Sequence, residues 1–168
     1  MSNQVFFYIN GEPLNGDWID MDNINDWNDI KEELADRSII SRLKNVDPDY
    51  DGDLLAADAE GALCSIFLGR YGSFDLDDFI EARNNDFDED AVAAFINCFS
   101  EWNKSKFEES YLGQFEDDIA FIMEQTESYG LLDGVPESIK FYFDYERFAS
   151  DEMINSYDCD NGHYFIRW

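Results

Sequence analysis

Eight carboxylates stand between Phe74 and Asp90 of this 168-residue chain, against a single cation, Arg83. They are Asp75, Asp77, Asp78, Glu81, Asp86, Asp88, Glu89 and Asp90. Carboxylates at this density can exchange protons as an acid/base pair, ligate a hard cation, or offer a row of fixed anions to a cationic partner. Paired carboxylates recur throughout the chain, so no spacing singles out an acid/base pair. The only histidine, His163 in NGHYFI, has no serine or cysteine nucleophile motif near it and reads as a strand-end or interface residue. Glycine-rich phosphate loops and the HExxH pattern are absent. One histidine and three scattered cysteines do not make a zinc ligand set. The chain therefore reads as no enzyme, with no catalytic residue, cofactor or metal expected.

Cation ligation has one local match. DPDYDGDLLAAD, Asp47 to Asp58, nearly follows the calcium loop of an EF-hand, with Asp47, Asp49, Asp51 and Asp53 at ligand positions and Gly52 at the turn. The closing position holds Asp58, one carbon shorter than the bidentate Glu such loops use. The following LLAADAEGALCSIFLG also reads as strands, LLAA and ALCSIFL, in place of an exiting helix. A calcium-binding protein stays open as an alternative.

Composition favours the third chemistry. Thirty-nine acids face 11 Lys plus Arg, a net charge of −28, while 15 Phe, 9 Tyr and 4 Trp argue against disorder. Such self-repulsion destabilises a compact state, so something should offset its retention. Nucleic acid and anionic membranes are disfavoured as partners, and a basic partner is favoured. A salt-adapted surface, a plain solvated acidic face, and sequestration of some other basic DNA-binding protein are the competing readings. No stretch approaches the roughly 20 apolar residues that span a bilayer, and the start MSNQVFFYIN does not resemble a signal peptide. Three cysteines without a CxxC pairing, Cys64, Cys98 and Cys159, suit reduced and mostly buried thiols, so a cytoplasmic protein is expected.

The elements that must position the acids follow from periodicity. VFFYI and GDWIDM around NGEPLNG predict a hairpin, and Trp27, Ile30 and Leu34 predict a helix from about Asp26 to Arg37. Leu76, Phe79, Ile80, then Val92, Phe95, Ile96 and Phe99, sit at helical spacing, with Asp75 and Asp88 as N-caps and a break near Asn84–Asp86. A further helix runs from about Glu116 to Ser128, with Ile119, Ile122 and Met123 inward and Gly130 as its stop. VPESIKFYFDYERFASD starts another with Pro136 in its first turn, and HYFIRW closes as a strand. The expected fold is α+β, an elongated row of three small modules at 1–65, 66–104 and 105–168. Residues 74–90, if wholly helical, would span about 25 Å, one acid per ~3.2 Å against one phosphate per ~3.4 Å of a DNA strand. Glu108, Glu109, Glu116, Asp117 and Asp118 would extend that stripe.

LLDGVPESIKFYFDYERFASD, Leu131 to Asp151, resembles the antirestriction signature of the ArdA family. The matching residues are Leu131, Leu132, Val135, Pro136, Glu137, Tyr142, Phe143, Asp144, Tyr145 and Asp151. The likeness extends to NGEPLNGDWID, YLGQFEDD and GHYFI, in order along the chain, and departs at Ala59, where an aromatic residue is common. The resemblance implies a DNA mimic that occupies the DNA groove of a type I restriction–modification enzyme, at its methyltransferase core, and blocks restriction and modification. It also implies a curved homodimer, with the Leu131–Asp144 region in the dimer contact. Such a dimer would carry about −56, equal to the phosphates along ~95 Å of duplex. The simpler alternative is that Tyr142, Phe143 and Tyr145 are core of the third module.

Overall fold

The computed structural model describes residues 3–10, 12–36 and 54–168. Among them the fold is mixed α+β, with eight helices and two antiparallel three-stranded sheets. The chain divides into two compact units, Met1–Ala93 and Ala94–Trp168. Asp47, Asp49, Asp51, Gly52 and Asp53 of the calcium-loop reading lie outside the described residues.

In the first unit β1 (Gln4–Ile9) and β2 (Glu12–Asp20) form the expected hairpin, and β3 (Leu54–Glu60) pairs with the other edge of β1. Alternation along β1 sends Val5 and Phe7 into the core. Phe6 and Trp18, opposite each other in register, meet edge-on at 5.7 Å. α1 (Trp27–Asp36) buries Ile30 and Leu34, one turn apart, and its Trp27 ring meets Phe7 at 5.9 Å. Phe74 links Phe7, at 5.8 Å, to Phe79, at 5.6 Å, on α3 (Leu76–Arg83). Arg83 turns inward: its guanidinium donates to the carbonyls of Met21 and Ile24 and lies 5.6 Å from the Phe79 ring centre.

ALCSIFL is a correction. It forms no strand; Ala62–Phe67 is the helix α2, with Leu63 and Cys64 buried. Gly61, at φ +103°, turns the chain sharply after β3. Its carbonyl then accepts the Ser65 amide at 3.1 Å and the Ser65 hydroxyl at 2.8 Å, closing the first helical turn. A short apolar run cannot by itself distinguish the two conformations.

The second unit begins inside α4 (Glu89–Phe99) and continues through α5 (Lys104–Ser110), β4 (Tyr111–Gln114), α6 (Asp118–Ser128), α7 (Glu137–Lys140), α8 (Tyr145–Asn155), β5 (Tyr157–Asp160) and β6 (His163–Ile166). The sheet order is β4-β6-β5. Consecutive side chains of β6 serve opposite faces. Phe165 packs with Phe95 at 5.6 Å and Phe99 at 5.9 Å from α4, and with Phe107 at 6.1 Å from α5. Tyr164 stacks on Phe121 of α6 at 4.2 Å, in a core that includes Ile122 and Ala149. Asn161 and Gly162, both at positive φ, make the two-residue β5–β6 turn. His163 opens β6, buried, with Nδ1 3.0 Å from the Tyr111 hydroxyl.

Two helix readings need correction here. Met123 is 49% exposed, and Phe121 takes its place inside; the buried stripe of α6 is rotated because the Phe121 ring is held against Tyr164. The segment after Pro136 is two helices, since the chain leaves the helical path after Phe141 and restarts at Asp144. Tyr142 and Phe143 make tighter i→i+3 bonds back to Ile139 and Lys140, and Asp144 caps a new start by accepting from the Arg147 amide at 3.0 Å. Aromatic residues lose side-chain freedom in a helix, so the FYF run gives little resistance to the break. Gly130 ends α6 as expected: its amide bonds to Glu127 and that of Leu131 to Thr126, both at 3.0 Å, the Schellman pattern.

Cys64 is buried, Cys98 half-buried and Cys159 exposed. Burial, then Glu89 and Asp22, pushes the Cys64 thiol up to about 12; burial, then Asp158 and Asp160, does the same for Cys98. A thiol-exchange reagent at pH 8 should label Cys159 and reach the other two only in denaturant. The stabilisation from these protonated thiols is whole below the ordinary value of 9.0 and lost as pH rises toward about 12, so the urea midpoint should fall across that window.

Candidate partner-binding surfaces

The acids of the first unit are ordered by their helices. On α3, Leu76, Phe79 and Ala82 face the core, which leaves Asp77, Asp78 and Glu81 together on the outer face. Asp75 precedes them as N-cap, its carboxylate accepting from the Asp78 amide at 3.5 Å. The expected break follows, since α3 ends at Arg83 and α4 begins at Glu89, with Asp86 exposed between them. Asp88 caps α4 by accepting from the amides of Asp90, at 3.0 Å, and Ala91, at 3.2 Å. Carboxylates at these first turns also meet the positive end of the backbone dipole.

In the second unit Glu108 and Glu109 are exposed on α5, beside buried Phe107 and Ser110. Glu116 is exposed in the loop before α6, and Asp117 caps that helix by accepting from the Ala120 amide at 2.8 Å. All thirteen acids are exposed except Asp90, which is half-buried. None forms an ion pair among the described residues. Two of them also brace the fold: both Glu89 oxygens accept from the buried Asn3 amide at 2.9 Å, and Asp118 accepts from the Tyr164 hydroxyl at 2.7 Å. Burial and the bond to Asp118 hold the Tyr164 phenol well above its ordinary range.

The 131–145 segment does two things at once. Phe143 lies 4.8 Å from Tyr145 and 5.3 Å from Phe148, and Tyr145 and Phe148 pack on the Phe121 core. Tyr142 is 80% exposed and Leu131 54%, so they face water. Phe141, at 86%, and Ile139 join them, residues the sequence reading did not single out. No sequence periodicity marks them, because neither helix nor strand spacing governs a tight turn. Leu132 and Val135 are half-buried, Pro136 stands as N-cap of α7, and Glu137 pairs with Lys140 at 2.9 Å. Asp144 is spent on the α8 cap, and Asp151 is exposed. Beside this face an open groove of about 560 Å³ is lined by Met123, Glu124, Leu132, Asp133, Lys140 and Tyr145 among others. Asp58, the last position of the calcium-loop reading, lies exposed in strand β3, and the described residues hold no acid, His or Cys cluster placed for a metal ion.

Fold and surface together define a small acidic α+β protein that turns carboxylates and a separate aromatic face toward its surroundings. The family model described as antirestriction protein (ArdA) matches residues 7–165, and the chain belongs to that family. No curated protein matches it. Membership supports an antirestriction function and, with it, interaction with restriction–modification enzymes. It lends nothing to the calcium-binding or general sequestering alternatives. ArdA is not a known enzyme family. No helix among the described residues is long and apolar enough to cross a membrane.

The capping acids can be separated from purely displayed ones. Asp75→Ala, Asp88→Ala and Asp117→Ala should each cost about 1 kcal/mol of stability, while the Asn versions, which still cap, should cost almost nothing. Substituting Asp77 or Asp78 by Asn should stay within about 0.5 kcal/mol. Urea unfolding of the set checks the ranking.

Proposed function

We propose that this protein inhibits a type I restriction–modification enzyme by standing in for B-form DNA in the groove of its methyltransferase core, blocking restriction and modification. The supporting observation is the outward display of Asp75, Asp77, Asp78, Glu81, Asp86, Asp88, Glu89, Asp90, Glu108, Glu109, Glu116, Asp117 and Asp118, nearly all exposed, on short helices, their caps and the loops that lead into them. A groove that reads phosphates gains affinity by neutralising anions and releasing their counterions. Carboxylates fixed on helices meet the same Lys and Arg side chains. They cannot offer base edges, so they compete through the contacts that position DNA and not through those that read its sequence.

The working architecture is a curved, elongated homodimer of three-module chains in the cytoplasm, with neither nucleic acid nor membrane as partner. Leu131, Ile139, Phe141 and Tyr142 supply the apolar face for self-association. Phe141 and Tyr142 meet edge-on at 5.7 Å, and large exposed apolar groups gathered in this way mark interaction sites. Phe141→Asp with Tyr142→Asp should leave the fold intact and yield monomers by sedimentation.

The direct test is competition: the purified methyltransferase core is loaded with labelled duplex and titrated with this protein. Displacement is expected, and it should weaken as salt rises. Single Asp→Asn or Glu→Gln changes should scarcely matter, because an exposed ion pair is worth below ~1 kcal/mol. Progressive neutralisation of the thirteen acids should weaken displacement in steps. Potency indifferent to both salt and charge would overturn the reading.

A further inference from the structure

Acid display does not explain Tyr71. The residue is 96% exposed, and its backbone sits at φ +62°, ψ +24°, a left-handed conformation that bulky residues rarely adopt. The turn that holds it is tightly closed. Leu68 and Phe74 form an antiparallel bridge, the Gly69 amide donates to the Ser73 carbonyl at 2.9 Å, and the Ser73 hydroxyl donates to the Arg70 carbonyl at 3.1 Å. Gly72, at φ +81°, lies so close to β3 that a Cβ there would stand 3.0 Å from the Leu55 Cβ. A large ring is thus held in water on a strained and well-braced base. Such strain persists only where the surroundings over-determine it, and it concentrates at binding and switch regions.

The location is as informative as the strain. Asp75, Asp77 and Asp78 follow within seven residues of Tyr71 along the chain, on the helix that the turn leads into. DNA presents the same pair of features to a base-modifying enzyme: a charged backbone and, next to it, one flat ring rotated out of the stack. Methyltransferases receive that base in a pocket lined by aromatic and apolar side chains. Stacking there is tolerant of ring identity, because every flat ring offers a π-face. A tyrosine also orders at low entropic cost, having few rotatable bonds, and a braced turn lowers that cost further.

We infer that Tyr71 is an aromatic anchor that enters the base-receiving pocket of the methyltransferase whose DNA groove the acids occupy. The inference rests on the groove reading above and adds to it a point of contact that is not electrostatic.

Three variants at this position test it in the same competition assay. Tyr71→Gly removes the ring and suits the positive φ, so its thermal midpoint should not fall. Its displacement of duplex should weaken about tenfold or more, the range of an interface hot spot, and by the same factor at low and high salt. Tyr71→Phe keeps the ring and should match the unaltered protein. A photoreactive benzoyl-phenylalanine at position 71 should cross-link to the base pocket of the methyltransferase. If Tyr71→Gly displaces duplex as well as the unaltered protein does, the anchor is refuted while the groove reading stands. A cross-link confined to surfaces outside the pocket refutes it equally. If the unaltered protein fails to displace duplex at all, both readings fall together.

Discussion

Electrostatic self-repulsion governs how this chain can be built. With 39 acids against 11 cations, the surface cannot be quieted by pairing charges, so stability must come from what lies beneath it. The solution is an aromatic interior made of thin layers. Phe7, Phe74 and Phe79 form one chain of edge and tilted contacts and Phe95, Phe107 and Phe165 another, while Phe121 and Tyr164 make a stacked pair. Aromatic rings bury a large area per residue and add directional contact energy. Short helices and three-stranded sheets then suffice, and nearly every position not in a layer is free to carry a carboxylate.

The same economy appears in how individual acids are used. Asp75, Asp88 and Asp117 satisfy backbone amides at helix starts while remaining exposed. Glu89 grips the buried Asn3 side chain, and Asp118 receives the Tyr164 hydroxyl. Folding and display are therefore not separable residue by residue. A residue whose charge matters to a partner can also set the angle at which its helix leaves the core. Arg83, the one cation in the central run, does the reverse: it turns toward the Met21 and Ile24 carbonyls and Phe79, leaving the outer row uncompensated.

Local chemistry explains which parts of this were readable beforehand. The caps at Asp75 and Asp88, the stop at Gly130 and the β1–β2 hairpin each depend on a few adjacent residues, and each appears where those residues place it. ALCSIF and the FYF turn depend on what surrounds them. The first becomes a helix because Gly61 redirects the chain, and the second breaks because Asp144 captures the Arg147 amide. The inward face of α6 takes Phe121 in place of Met123, two positions along, since only the partner ring of Tyr164 decides between them. The family was legible from the 131–151 signature, and the match over 7–165 agrees with it. That most of the acids would be exposed was legible from composition, because so many unpaired carboxylates cannot be buried. Tyr71 was not, because a glycine-flanked tyrosine in GRYG looks like any turn until its backbone angle and exposure are known.

Helices α3, α4, α6 and α8 all start on aspartate, at Asp75, Asp88, Asp117 and Asp144. At the opposite ends, α4, α5, α6 and α8 carry no basic side chain in their last turn. Peptide groups give each helix poles of about half an electron charge, positive at the start and negative at the finish. In α4, α6 and α8 the positive pole is covered and the negative one left bare. The main chain therefore reinforces the potential set by its side chains, and an approaching cation meets a field more negative than a count of carboxylates would suggest.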